Sequence, residues 1–136
     1  MAKAKANLDW LEQAQAAVND SPAFRRLGST DVTLGLAVGD ESRLVTFEAF
    51  EVAQVSTVGA NDLRDADIVI EMSAKDWNAY LRQRGKGKGP SLLTLDLDAG
   101  VVKSASPLLR LKLERYNLSL QMFLDTGAAL AATQAA

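Results

Sequence analysis

Apolar residues recur along this chain in two different rhythms. From Asn7 to about Val18, Leu8, Leu11, Ala14, Ala17 and Val18 fall three or four positions apart, the repeat of an amphipathic helix. Ser21-Pro22 interrupts that helix, and a helical turn through Phe24 and Leu27 closes at Gly28, a residue suited to a helix C-terminus. The rhythm then shortens to two. Val32, Leu34, Leu36 and Val38 alternate with Thr33, Gly35 and Ala37, which places four aliphatic side chains on one face of a strand. Gly39-Asp40-Glu41-Ser42 supplies a hairpin turn. In the run from Arg43 to about Val58, Val45, Phe47 and Ala49 share one parity while Phe50, Val52 and Gln54 share the other. Such a switch predicts a bulge, or a bend between two strands, near Ala49 to Glu51.

Polar Gly59 to Ala66 reads as a loop, and Ile68, Ile70 and Met72 alternate as a further strand. Ser73, with Asp76 three residues on, forms a variant capping box opening a helix on which Trp77, Tyr80 and Leu81 share a face. Arg82 to Pro90 reads as a basic, glycine-rich loop. Leu92 to Leu97 fits either a strand or a short helix, and Val101-Val102 is extended. Ser106-Pro107 starts a long helix whose stripe of Leu109, Leu113, Tyr116, Leu120 and Phe123 ends before Gly127. Leu109, Leu111 and Leu113 also alternate as a hairpin would, but length, caps and propensity favour the helix. The order predicts an α+β fold, a mostly antiparallel sheet with helices covering one face and a long C-terminal helix. No repeat or compositional break divides it, so one domain is expected over 1–136, with frayed ends at 1–6 and 128–136.

Composition removes much chemistry. None of the 136 residues is His or Cys, so zinc sites built on those residues, Ser-His-Asp and Cys-His catalysis, disulfides and thiol redox steps are impossible within this chain. Fifteen Lys and Arg against 17 Asp and Glu leave a formal charge of -2, which offers no general attraction to nucleic acid. The start, with Lys3 and Lys5, lacks the apolar run of a secretory leader, and no window reaches a membrane span of about 20 apolar residues. A cytoplasmic location is the default. Asp62, Asp65 and Asp67 around Arg64, and Asp96 with Asp98, lack calcium-loop spacing, so neither metal nor cofactor is expected. Glu48 and Glu51, flanking Phe50, are the first acids to inspect for acid-base chemistry, although solvent-facing strand positions explain them as well. No catalytic motif is present.

The stretch Ala66-Asp67-Ile68-Val69-Ile70-Glu71-Met72-Ser73-Ala74-Lys75-Asp76-Trp77, followed by Leu92-Leu93-Thr94-Leu95-Asp96, Ala99-Gly100-Val101-Val102 and an apolar terminal helix from Leu108, resembles the sterol carrier protein 2 family of small lipid-binding domains. Lys103 to Pro107 and the basic segment Gln83 to Gly89 depart from the family's pattern. The resemblance implies a non-catalytic module that holds a fatty acyl chain, acyl-CoA or sterol-like molecule in an apolar tunnel between sheet and helices. Its walls would come from Phe47, Phe50, Met72, Trp77, Tyr80, Leu81, Leu109, Leu113, Tyr116, Leu120, Met122 and Phe123. Leu108, Leu111, Leu118 and Met122 lie outside the core stripe, an apolar surplus that needs a cover: ligand, thick core or dimer face.

Arg82, Arg84, Lys86 and Lys88 would meet a lipid head group, an acyl-CoA phosphate or a membrane surface; a mobile solvated loop is the plain alternative. Two other functional classes remain open. One is a small steroid or acyl isomerase or hydrolase using a carboxylate and Tyr80 or Tyr116. The other is a dimerisation or partner-docking module working through the terminal helix.

Overall fold

The computed structural model describes residues 6–135. Two helices open it, α1 (Leu11–Asn19) and α2 (Pro22–Arg26). Strands β1 (Thr30–Val38), β2 (Glu41–Ala49) and β3 (Glu51–Val58) follow as an antiparallel meander. A short 3-10 helix (Ala60–Asp65) leads into β4 (Ile68–Met72). Then come α3 (Ala74–Gly85), α4 (Leu92–Ala99), the two-residue β5 (Val102–Lys103), α5 (Pro107–Arg115) and α6 (Asn117–Ala135). The strands form one sheet in the order β3-β2-β1-β4-β5, in which β1 and β4 run parallel and the other pairs antiparallel. The fold is α+β with a mixed sheet.

One sheet face carries the core. Val32, Leu34, Leu36, Val38, Val45, Phe47, Val52, Ile68 and Ile70 are all buried on it, and contact between Phe47 and Phe123 brings α6 down onto this face. The other face is approached by the 3-10 helix. A Cβ on Gly35 would stand 3.0–3.1 Å from Val69, Ala66 and Leu63, so glycine lets that segment lie close. The parity switch has two causes: Ala49, with φ of 55°, turns the chain at Phe50, and the β2–β3 register slips between Thr46 and Phe47. At the sheet's edge, Asn19 of α1 both donates to and accepts from the backbone of Val52, at 3.0 and 2.7 Å, covering polar groups that an open edge would expose.

Several expectations change. The first helix starts four residues later, at Leu11, because Trp10 turns inward to become a fully buried core residue. Within Gly59 to Ala66, read as a loop, Ala60–Asp65 forms a 3-10 helix, and Leu92 to Leu97 resolves as helix, capped by Ser91. The single long terminal helix is two, broken at Tyr116, where the Asn117 side chain donates to the Glu114 carbonyl at 2.8 Å. Nor does the second helix stop at Gly127. It runs on to Ala135, with Ala128 and Ala131 buried. Gly127 serves close approach: a Cβ there would lie 2.2 Å from the Trp10 ring. At the other terminus, Ala6 is buried, and residues 1–5 lie outside those described.

Candidate functional site

Much of the expected apolar lining is packed upon itself. Trp10 stacks on Trp77 at 6.1 Å, tilts against Phe123 at 5.8 Å, and Phe123 meets Phe47 edge-on at 5.4 Å. These separations are those of aromatic pairs in contact. Both indole N–H groups donate to the one carbonyl of Asn7, at 2.8 and 2.9 Å, which draws the N-terminal segment into the cluster. Phe47, Trp77, Leu113, Leu120 and Phe123 are therefore core residues with almost no exposure.

Space opens beside that cluster. A cleft of about 520 Å³ lies between β4, α3 and α4, lined by Met72, Ala79, Tyr80, Pro90, Leu95, Ala99 and Val101 together with Glu71, Ser73, Asp76 and Gln83. Its construction follows from local sequence. Ser73 and Ser91 each cap a helix by accepting from the backbone N–H three residues on, at 3.0 and 3.2 Å, so α3 and α4 start at fixed points. Ser73, Asp76, Tyr80 and Gln83, spaced three and four apart, then form the face of α3 that borders the cleft. Across it, Asp96 of α4 accepts from the Val102 N–H at 2.8 Å and pairs with Arg110, while Arg110 also donates to the Val102 carbonyl at 3.1 Å. That carboxylate ties α4, β5 and α5 together; it is buried and structural.

Tyr80 closes the inner side. Its ring stacks on Trp77 at 6.1 Å, and its hydroxyl oxygen accepts from Gln121 Nε2 at 3.0 Å. Gln121 also donates to Asp125 at 2.8 Å and accepts from the Leu92 N–H at 2.7 Å. Arg84 grips the same Asp125 carboxylate with two hydrogen bonds, at 2.9 and 2.8 Å. Burial is the main force on the Tyr80 hydroxyl, raising its pKa above the ordinary 10.0, with Gln121 opposing and Asp125 adding to the rise. The hydrogen bond to Asp125 likewise raises the Arg84 pKa. Tyr80 thus stays protonated near neutrality, and its proton remains available as a donor because Gln121 Nε2 can only donate to it.

The remaining expected site residues are scattered. Only Met72 and Tyr80 of the predicted walls line this cleft. Leu81, Arg82 and Lys86 border a separate cleft of about 270 Å³ with Asn7, Asn78, Ala131 and Ala132. Met122 lines a groove on the outer side of α6 with Leu27 and Leu118. Leu109 and Tyr116 are half-buried, the latter with the Arg115 guanidinium 5.6 Å from its ring. Phe50, 51% exposed, sits at the β2–β3 turn. The predicted basic loop is helical as far as Gly85, and Arg84 is committed to Asp125, so its four cations do not form one patch; Lys88 is exposed beyond the helix. Of the apolar surplus, Leu108 at 76% and Leu111 and Leu118 above half face outward and Met122 is half-buried; Leu97 of α4 is exposed too, at 85%.

Sequence reasoning passed over Gln121 and Asp125. Their polarity in the apolar run Leu118 to Leu130, one helical turn apart, was the available signal. Glu48 and Glu51 face each other across the turn as exposed strand partners. Asp62 accepts from the Gly59 N–H at 3.1 Å, and Asp67 from the Thr33 N–H at 2.9 Å and Lys112 at 3.1 Å. Among the described residues no helix is long and apolar enough to cross a membrane.

No protein-family model matches the chain, and no curated protein matches it in sequence. Among solved structures it is similar to one described as "Crystal structure of sterol carrier protein 2", at 20% identity and a TM-score of 0.66, over 88% of this chain and 93% of that one. It is also similar to a "UbiJ-SCP2 Ubiquinone synthesis protein", at 16% identity and a TM-score of 0.47, over 92% of this chain and 95% of the other. The first likeness establishes the fold as that of sterol carrier protein 2.

Proposed function

We propose that this chain, built on the sterol carrier protein 2 fold, is a lipid-binding or lipid-transfer module that takes a hydrophobic molecule into the cleft between β4, α3 and α4. The cleft itself carries the reading. At about 520 Å³ it falls within the roughly 300–1,000 Å³ of small-molecule sites, and Met72, Ala79, Leu95 and Val101 offer apolar wall that is only partly covered. An acyl chain or sterol-like ring system would be held by burial, at roughly 25 cal/mol per Å² of apolar surface. Tyr80 would add one oriented donor. The outward leucines on α4, α5 and α6 would meet a bilayer transiently during loading, or a second copy of the chain.

Titration with a fluorescent fatty acid and a fluorescent sterol tests this reading. Saturable binding of at least one probe, weakened tenfold or more by Leu95→Asp with the circular dichroism spectrum unchanged, is the expected result. Folded protein that binds neither probe, or a Leu95→Asp variant that binds as well as the parent, would refute it.

A second reading has one observation in its favour: Asp76 and Tyr80, one helical turn apart on α3, line the same cleft. A carboxylate and a protonated phenol are the groups a ketosteroid-type isomerase uses to move a proton. Turnover of a ketosteroid that vanishes in Tyr80→Phe would support it, and absence of turnover alongside saturable probe binding would leave the carrier reading.

A further inference from the structure

The polar groups around the cleft between β4, α3 and α4 are unbalanced in sign. Asp76 lies on the face of α3 that borders the cleft, is exposed, and makes no ion pair among the described residues. Ala99, at the opposite wall, is the last residue of α4, and the C-terminal end of a helix presents carbonyl oxygens and the negative end of its dipole. Glu71 stands at the β4 edge of the same cleft. Among the described residues no Lys or Arg lines it. Of the described cations closest in the chain, Arg84 is held by Asp125, Arg82 and Lys86 border the separate cleft lined by Leu81 and Asn7, Lys88 is exposed beyond α3, and Lys103 shares a further cleft with Glu71.

Resting on the lipid-binding reading, we propose that this site selects an amphiphile whose polar end donates hydrogen bonds without negative charge, an alcohol or an amine, and rejects carboxylates and phosphates. Two acceptors, the Asp76 carboxylate and the end of α4, satisfy such a head group while its apolar body lies against Met72, Leu95 and Val101. A carboxylate head could take the Tyr80 donor but would bring like charge to Asp76, with no cation among the described lining residues to compensate. The sequence-based expectation of a phosphate-bearing acyl-CoA, held by Arg82 to Lys88, has no counterpart at this cleft.

Three probes of equal chain length separate these effects: decanol, decylamine and decanoate, titrated at pH 7 and low ionic strength below their micelle concentrations. Decanol and decylamine should bind at least about fivefold more tightly than decanoate, the scale of one unit-charge contact in a largely aqueous setting, and added salt should narrow the gap. In Asp76→Asn, decanoate should tighten, decylamine weaken and decanol hold steady; Asp76→Lys should reverse the order of the two charged probes. Decanoate binding as tightly as decanol to the native protein, or a gap untouched in both variants, overturns the selectivity while leaving the lipid-binding reading intact. Failure of all three probes to bind folded protein overturns both.

Discussion

The two sides of α3 differ in how they use the same helix. Toward Trp10 and Phe123, Trp77 enters a fully buried aromatic cluster. Toward α4, Asp76, Ala79, Tyr80 and Gln83 border an open cleft. Large apolar side chains did not make the space; they closed it. The cleft exists where the small and polar Ser73, Asp76, Ala79 and Gln83 of α3 leave Leu95 and Val101 only partly covered, and where α4 is held in place by the Ser91 cap, the Gln121 hydrogen bond to Leu92 and the Asp96 link to Val102 and Arg110. Close packing follows from side-chain bulk, whereas an open site needs elements fixed by directional bonds.

The sharpest way to break this comparison is Phe123→Ala. It removes the ring that Trp10 and Phe47 both touch, and urea unfolding should show a loss of about 3–5 kcal/mol. Gly127→Ala comes next. Helix propensity favours Ala by about 1 kcal/mol, but the overlap with Trp10 dominates, and the midpoint should fall by about 1–3 kcal/mol equivalent. Asp96→Ala leaves the Val102 N–H without its partner, and a loss of about 1–3 kcal/mol is expected in the same assay.

Tyr80 gives a smaller, pH-dependent effect. Its folded pKa is raised above 10.0, so the folded state keeps a proton that the unfolded chain releases; its contribution is intact below pH 10 and is lost as pH climbs toward the raised value. Stability curves of the parent and Tyr80→Phe should therefore differ in slope above pH 10 and run parallel below it. The smallest stability effect belongs to Ala79→Leu. Filling open cleft should change stability by less than about 1 kcal/mol yet weaken lipid-probe binding severalfold. A large stability loss there would mean that the cleft is core after all.

Elements with a strong local rhythm were legible in the sequence. The β1 alternation, the Ser73 cap with Trp77, Tyr80 and Leu81, and the Ser106-Pro107 helix start all stand where the pattern puts them. The site was less legible. Leu109 and Tyr116 share a stripe with Phe123 only if the helix is unbroken, and the break at Tyr116 separates them. Arg84 looked like a loop cation because its glycine-rich surroundings suggest mobility, while its partner Asp125 lies 41 residues away. Trp10 and Gly127 explain each other only in contact, since neither a tryptophan at a helix entrance nor a glycine inside a helix announces a partner 117 residues distant in a chain of 136.

By itself the sequence determined the class and order of the strongly periodic elements and the apolar faces available for a core, and it removed imidazole and thiol chemistry within these 136 residues. These properties depend on residue type and short-range spacing, which the chain carries directly. The tertiary structure decided which apolar faces fill each other and which border open space. That choice depends on side chains far apart in sequence competing for the same volume, and on single hydrogen bonds, such as Gln121 to Leu92, that set the distance between helices.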